Sequence, residues 1–132
     1  RDQRLPVAMA KSQRVVLIVD DSPMITKVVG AVVSAMGHHV VEVPDGAQAL
    51  MTVETLPPDL IFLDLHMPEM SGLQMLARMR AMPGLAQVPV VLLTASRSTD
   101  VVTKTAKYGV RDYVSKPATP ARIRDKVNKY LG

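Results

Sequence analysis

Five polar side chains stand where strand-like runs stop. Asp20 and Asp21 follow Val15-Val16-Leu17-Ile18-Val19, and Asp64 ends the run from Leu60. Thr94 ends the run from Val88, and Lys116 follows Val110 to Ser115. Three carboxylates gathered in one place repel one another and do not stay ionised together without a cation. Oxygen-only ligands with a place left for phosphate suit Mg²⁺, which keeps several waters and takes few protein carboxylates. Beside such an ion a carboxylate can act as a nucleophile and form an acyl phosphate. Lys116 could pair with the added phosphoryl oxygens, and the Thr94 hydroxyl could donate a hydrogen bond to one of them. The set reads as phosphoryl acceptance if the chain brings its members together.

The pattern of the chain says that it does. Val15 to Val19 is a β-branched run of the kind buried on both faces of a parallel sheet. Ser22 and Pro23 then open a helix, carried by Ile25, Val28, Val29, Val32, Val33 and Met36 and closed by Gly37. His39 to Val43 reads as a second strand. Asp45 starts a helix to about Leu56 with Ala47, Leu50 and Met51 on one face, ended by Pro57-Pro58. Leu60 to Asp64 is the third strand. Ser71 or Gly72 opens a helix facing in through Leu73, Leu76 and Ala77, stopped at Pro83-Gly84. Val88 to Thr94 is the fourth strand, Thr99 to Tyr108 a weak helix, and Val110 to Ser115 the fifth strand. A last helix from about Thr119 carries Ile123, Val127, Tyr130 and Leu131. Such alternation predicts an α/β domain with a flavodoxin-like, doubly wound, five-stranded parallel sheet of (βα)5 type, strand order 2-1-3-4-5. In that fold the carboxyl ends of the strands face one crevice, so the five side chains would converge there.

The 132 residues fit one domain, 15–132, preceded by 1–14 as a disordered tail or cloning remnant with Met9 a candidate natural start. Hydrophobic residues make up 48% of the chain but aromatics only 3%, so the core must come from aliphatic side chains and Met. The absence of cysteine excludes disulfides, thiol catalysis and Cys-bound zinc. With no apolar run of membrane-spanning length and no signal peptide, the expectation is a cytoplasmic protein without membrane attachment. Charge is uneven. Residues 15–96 have three basic against eight acidic side chains, whereas 97–132 have nine basic against three acidic. That basic end is read as a solvated helix face or, more sharply, a protein-docking face. Nucleic-acid binding by this chain is not expected, because aromatic interleaving and binding motifs are missing.

From Val15 to Leu131 the chain resembles the receiver domain of bacterial two-component response regulators. The matching stretches are Val19-Asp20-Asp21-Ser22, Asp64-Leu65-His66-Met67-Pro68-Glu69-Met70-Ser71-Gly72, Val91-Leu92-Leu93-Thr94-Ala95 and Tyr113-Val114-Ser115-Lys116-Pro117. The intervals also match: 44 positions from Asp20 to Asp64, 30 from Asp64 to Thr94 and 52 from Asp64 to Lys116. The resemblance implies a phosphoacceptor signalling switch rather than an enzyme. Asp64 resembles the phosphorylated aspartate, and Asp21 the direct Mg²⁺ ligand supported through water by Asp20. Asp64 and the backbone carbonyl of His66 complete the protein ligands. Lys116 resembles the phosphate-contacting lysine before a cis proline, here Pro117, and Thr94 and Tyr113 the switch pair. His66 and Ser96 occupy the places where phosphoryl lifetime is tuned. The implied partners are a sensor histidine kinase or histidine phosphotransfer protein, and a downstream target on the face of the fourth helix, fifth strand and fifth helix. A stand-alone regulator is preferred to a piece of a longer protein.

Taken singly, each of these residues has an ordinary reading: a strand-end aspartate as a helix cap, Lys116 as a solvated lysine, Tyr113 as a half-buried edge-strand tyrosine. The nine Met read as core filler. The main alternative function is a haloacid-dehalogenase-like Mg²⁺-dependent phosphohydrolase. That chemistry needs a second aspartate two residues after the nucleophile, where this chain has His66. A nucleotide- or flavin-binding module is disfavoured by the acidic, glycine-free turn Asp21-Ser22-Pro23-Met24.

Overall fold

A computed structural model describes residues 13–66, 70–95, 99–110 and 112–132. The expected roles of Ser96 and of most of the 1–14 tail therefore lie outside the described residues. Five strands alternate with five helices: β1 (Val15–Val19), α1 (Pro23–Ala35), β2 (His39–Val43), α2 (Gly46–Thr55), β3 (Leu60–Asp64), α3 (Gly72–Arg80), β4 (Val90–Thr94), α4 (Thr99–Ala106), β5 (Asp112–Ser115) and α5 (Pro120–Leu131). All strand pairs are parallel, in the order β2-β1-β3-β4-β5. The expected fold and strand order are those observed.

Every residue of β3 and β4 is buried, which explains why both read as unbroken apolar runs. Successive side chains go to opposite faces. Val16, Ile18, Leu60, Phe62, Val91 and Leu93 pack with Val29 and Val33 of α1 and Ile123 and Val127 of α5. Leu17, Val19, Ile61, Leu63 and Leu92 pack on the other side with Ala49 and Val53 of α2 and Met75, Leu76 and Met79 of α3. No helix among the described residues is long and apolar enough to cross a membrane.

Helix starts follow side-chain chemistry. Ser22, Asp45, Ser71 and Thr119 each accept a backbone N–H from the first turn, and Ser71 with Gln74 forms a reciprocal capping box. Three predicted helix faces need correction. In α2 the buried residues are Gly46, Ala49 and Val53, while Met51 is 70% exposed and Ala47 exposed. In α3 they are Gly72, Met75, Leu76 and Met79, with Leu73 and Ala77 only half-buried. In α1 Thr26 and Gly30 join Val29 and Val33 in the buried row, and Val28 is exposed. Bulk was the misleading cue: small residues sit where a helix lies closest to the sheet. Two strands are also shorter than predicted. The ladder of β4 begins only after Pro89, which has no N–H to give. The Val110 N–H turns back to the Thr105 carbonyl instead of entering β5.

Candidate acidic site at the carboxyl rim of the sheet

β1, β3 and β5 deliver Asp20, Asp64 and Lys116 to the same end of the sheet. The Lys116 ammonium lies 3.2 Å from Asp20 Oδ2 and 3.8 Å from Asp64 Oδ2. Carboxylate oxygens of Asp20, Asp21 and Asp64 all lie within 4.8 Å of one another. Asp20 and Asp64 are buried and Asp21 is exposed, so the cluster opens to solvent on one side.

Local geometry fixes each member. Asp20 Oδ1 accepts the Ser22 N–H at 2.9 Å, orienting the carboxylate while α1 begins. Asp64 Oδ1 accepts the His66 N–H at 3.1 Å. Helix α3 starts directly against Asp64: a Cβ on Gly72 would stand 2.6 Å from the Asp64 carbonyl oxygen, so only glycine fits there. The Lys116 N–H donates to the Thr94 carbonyl at 2.8 Å, which joins the ends of β4 and β5, and the Lys116–Pro117 peptide is cis. Thr94 is buried at the end of β4, beside the strand that ends in Asp64. His66 is exposed.

Asp20 Oδ2 is buried and receives no aligned hydrogen bond among the described residues; Lys116 supplies only charge at 3.2 Å. A buried carboxylate oxygen in that condition is costly. Together with two neighbouring carboxylates and all-oxygen chemistry, it fits a hard divalent cation rather than a thiophilic metal. Burial pushes the Asp64 carboxyl above the ordinary aspartate range; the His66 N–H opposes this, the Asp20 charge adds to it, Lys116 opposes it, and Asp21 adds again.

The sign of the resulting pH dependence is unusual for an aspartate. A folded-state value above the unfolded one means the fold binds this proton more tightly. Without divalent cations, stability falls as pH rises from the ordinary aspartate value through that of folded Asp64. Asp64→Asn should therefore be more stable than wild type in chelator at neutral pH, with the difference vanishing below the ordinary aspartate range. Urea unfolding of both proteins across acidic to neutral pH checks this.

Tyr113 is half-buried on the edge strand β5, and its hydroxyl lies 3.3 Å from Thr105 Oγ1 of α4. Thr105, not anticipated from the sequence, is the fully buried residue of α4 and donates to the Val101 carbonyl at 2.7 Å. Asp112 was also missed. It accepts from Lys126 at 2.6 Å, from Lys129 and the Tyr130 hydroxyl at 2.8 Å each, and from the Tyr113 N–H at 3.0 Å. Burial alone would raise the Asp112 carboxyl, but these bonds overcome it and hold it well below the carboxylate range. A lone acidic residue opening an edge strand, with Lys126 and Lys129 three apart on the last helix, was the available signal.

This fold and this rim define a receiver domain. Residues 16–128 match the response regulator receiver domain, and the chain belongs to that family, a family of signalling domains. It is 37% identical over 118 residues to the DNA-binding response regulator MtrA of Mycolicibacterium smegmatis, covering 86% of this chain and 50% of that protein. It is 32% identical over 127 residues to the signal transduction histidine-protein kinase BarA of Escherichia coli, covering 96% of this chain and 14% of that protein. The chain thus spans half or less of the length of these relatives. Among solved structures, the chemotaxis response regulator CheY4 of Vibrio cholerae superposes with a TM-score of 0.84 at 25% identity, covering 89% of this chain and 98% of that one. The Mn²⁺-bound response regulator Rcp1 superposes with a TM-score of 0.78 at 27% identity, covering 89% and 94%.

Proposed function

We propose that this domain is a phosphoacceptor switch in which Asp64 takes a phosphoryl group from a phosphohistidine of a sensor kinase or histidine phosphotransfer protein. The observation that carries the reading is the convergence of Asp20, Asp21, Asp64 and Lys116 at one rim. Asp20, Asp21, Asp64 and the His66 carbonyl would hold Mg²⁺, and the Mn²⁺-bound structural neighbour supports a divalent ion of this kind. When bound, the ion supplies charge neutralisation for the transferring phosphoryl oxygens. An Asp64 carboxylate oxygen forms the new P–O bond while the P–N bond to the donor imidazole breaks and the imidazole keeps the electron pair. Lys116 then pairs with the added phosphoryl oxygens, and the Thr94 hydroxyl donates to one of them. Exposed His66 flanks the group and tunes attack by water.

Output follows from the position of Thr94. Its movement toward the phosphoryl group would release space behind it for Tyr113, whose hydroxyl now meets Thr105. Helix α4 has little buried surface of its own to resist repacking, so the equilibrium between two arrangements can be biased from the rim. The face of α4, β5 and α5 carries exposed Lys104, Lys107, Arg122, Arg124 and Lys129 and would receive a downstream protein.

Incubation with a small acyl phosphate and Mg²⁺, followed by intact-mass measurement, tests the reading. Wild type should gain one base-labile phosphoryl group. Asp64→Asn and a chelator control should gain none, and His66→Ala should gain it but lose it at a changed rate. Sustained turnover of phosphate esters without a phosphorylated intermediate on Asp64 would overturn it.

A further inference from the structure

The opposite end of the sheet holds a cavity of about 240 Å³ where β4 begins, lined by Arg80, Gln87, Val90, Gly109 and Tyr130 among others. Arg80, the last residue of α3, donates from Nε to the Tyr108 carbonyl at 2.8 Å and from Nη1 to the Leu85 carbonyl at 3.0 Å. A guanidinium has five N–H donors. One N–H of Nη1 and both of Nη2 donate no hydrogen bond among the described residues. Arg80 makes no ion pair among the described residues, although burial strips water from it and lowers its pKa. The lining contains no acid. Nearby Asp112 is already taken by Lys126, Lys129 and Tyr130. Gly109 has a φ of +78°, which disfavours any side chain, and Nη2 would be 3.9 Å from a Cβ placed there.

We propose that this cavity binds a small carboxylate, gripped by the outer edge of the Arg80 guanidinium. The fork of paired N–H groups matches a carboxylate in geometry and in charge. The exposed Gln87 side chain can add a donor at the mouth. The volume lies below the range of about 300–1,000 Å³ typical of drug-sized ligands, so the occupant is a short mono- or dicarboxylate rather than a nucleotide. Its seat touches Gly109, in the turn between α4 and β5. The proposal does not depend on phosphorylation of Asp64.

Titration of the labelled protein with sodium acetate and sodium succinate, against sodium chloride at equal ionic strength, tests it by nuclear magnetic resonance. Saturable shifts of the Arg80 Nε–H and of the Val90 and Gly109 amides are expected. Gln87→Glu, which adds a negative charge to the lining of the same cavity, should weaken binding about tenfold or more, and so should Arg80→Lys. Shifts that grow linearly without saturation, shifts confined to the Lys116 rim, or unchanged affinity in Gln87→Glu would each overturn the proposal.

Discussion

Asp112→Ala should cost the domain about 2–3 kcal/mol, one of its two largest single-residue losses outside the apolar core. Asp112 opens the edge strand β5 and is buried, yet it fixes three side chains of α5 and one backbone N–H. Removing a buried member of an ion pair costs about 3–5 kcal/mol when the partner charge stays buried. Here the Lys126 side chain is 19% exposed and that of Lys129 56%, so both ammonium groups can turn to water and the lower figure applies. The pH dependence has a definite sign. The folded carboxyl titrates below its unfolded value, so its contribution is complete above about pH 4 and is lost only as pH falls through the folded value. Urea unfolding should show a constant gap between wild type and variant from neutral pH down to about 4, closing at stronger acid. The gap should be the same in chelator and in Mg²⁺, because Asp112 lies away from the acidic rim.

Lys116→Met is the second large effect, and it should depend on the cation. Lys116 faces two carboxylates whose side chains are 0% and 6% exposed, while its own is 25% exposed. Deleting the ammonium leaves Asp20 and Asp64 buried, adjacent and alike in charge. In chelator the variant should lose about 2–3 kcal/mol. Millimolar Mg²⁺ should recover much of that loss and should stabilise the variant more than wild type, since the ion no longer competes with an ammonium. Phosphoryl uptake on Asp64 should persist in Lys116→Met, but the change at Tyr113 that follows it should not. Paired urea titrations with and without Mg²⁺ measure the first part, and tyrosine resonances before and after acyl phosphate the second.

Much of this site could be read from the chain because strand ends are easy to see. A parallel strand buried on both faces is an apolar run, and the polar residue that ends it sits at the rim, as Asp20 and Asp64 do; Lys116 ends the edge strand β5, which is not such a run. The fold came from the same alternation. Helix faces were harder, since burial there follows distance from the sheet rather than side-chain bulk: Gly30, Ala49 and Gly72 are buried while Met24 and Met51 are exposed. The signal for Asp112 as an organiser was weak because its partners lie on α5, and Lys126 and Lys129 read equally well as a solvated face. Arg80 was missed for a related reason. Its acceptors are backbone carbonyls of Leu85 and Tyr108, the second 28 residues away, and carbonyls leave no mark in a sequence.

Borohydride reduction of the phosphorylated protein, followed by peptide sequencing, asks most directly whether Asp64 is the acceptor. An aspartyl phosphate is reduced to homoserine, so the account requires homoserine at position 64 and intact aspartate at 20 and 21. Homoserine at 20 or 21, or a phosphoryl group that survives base and sits on a hydroxyl, would contradict it.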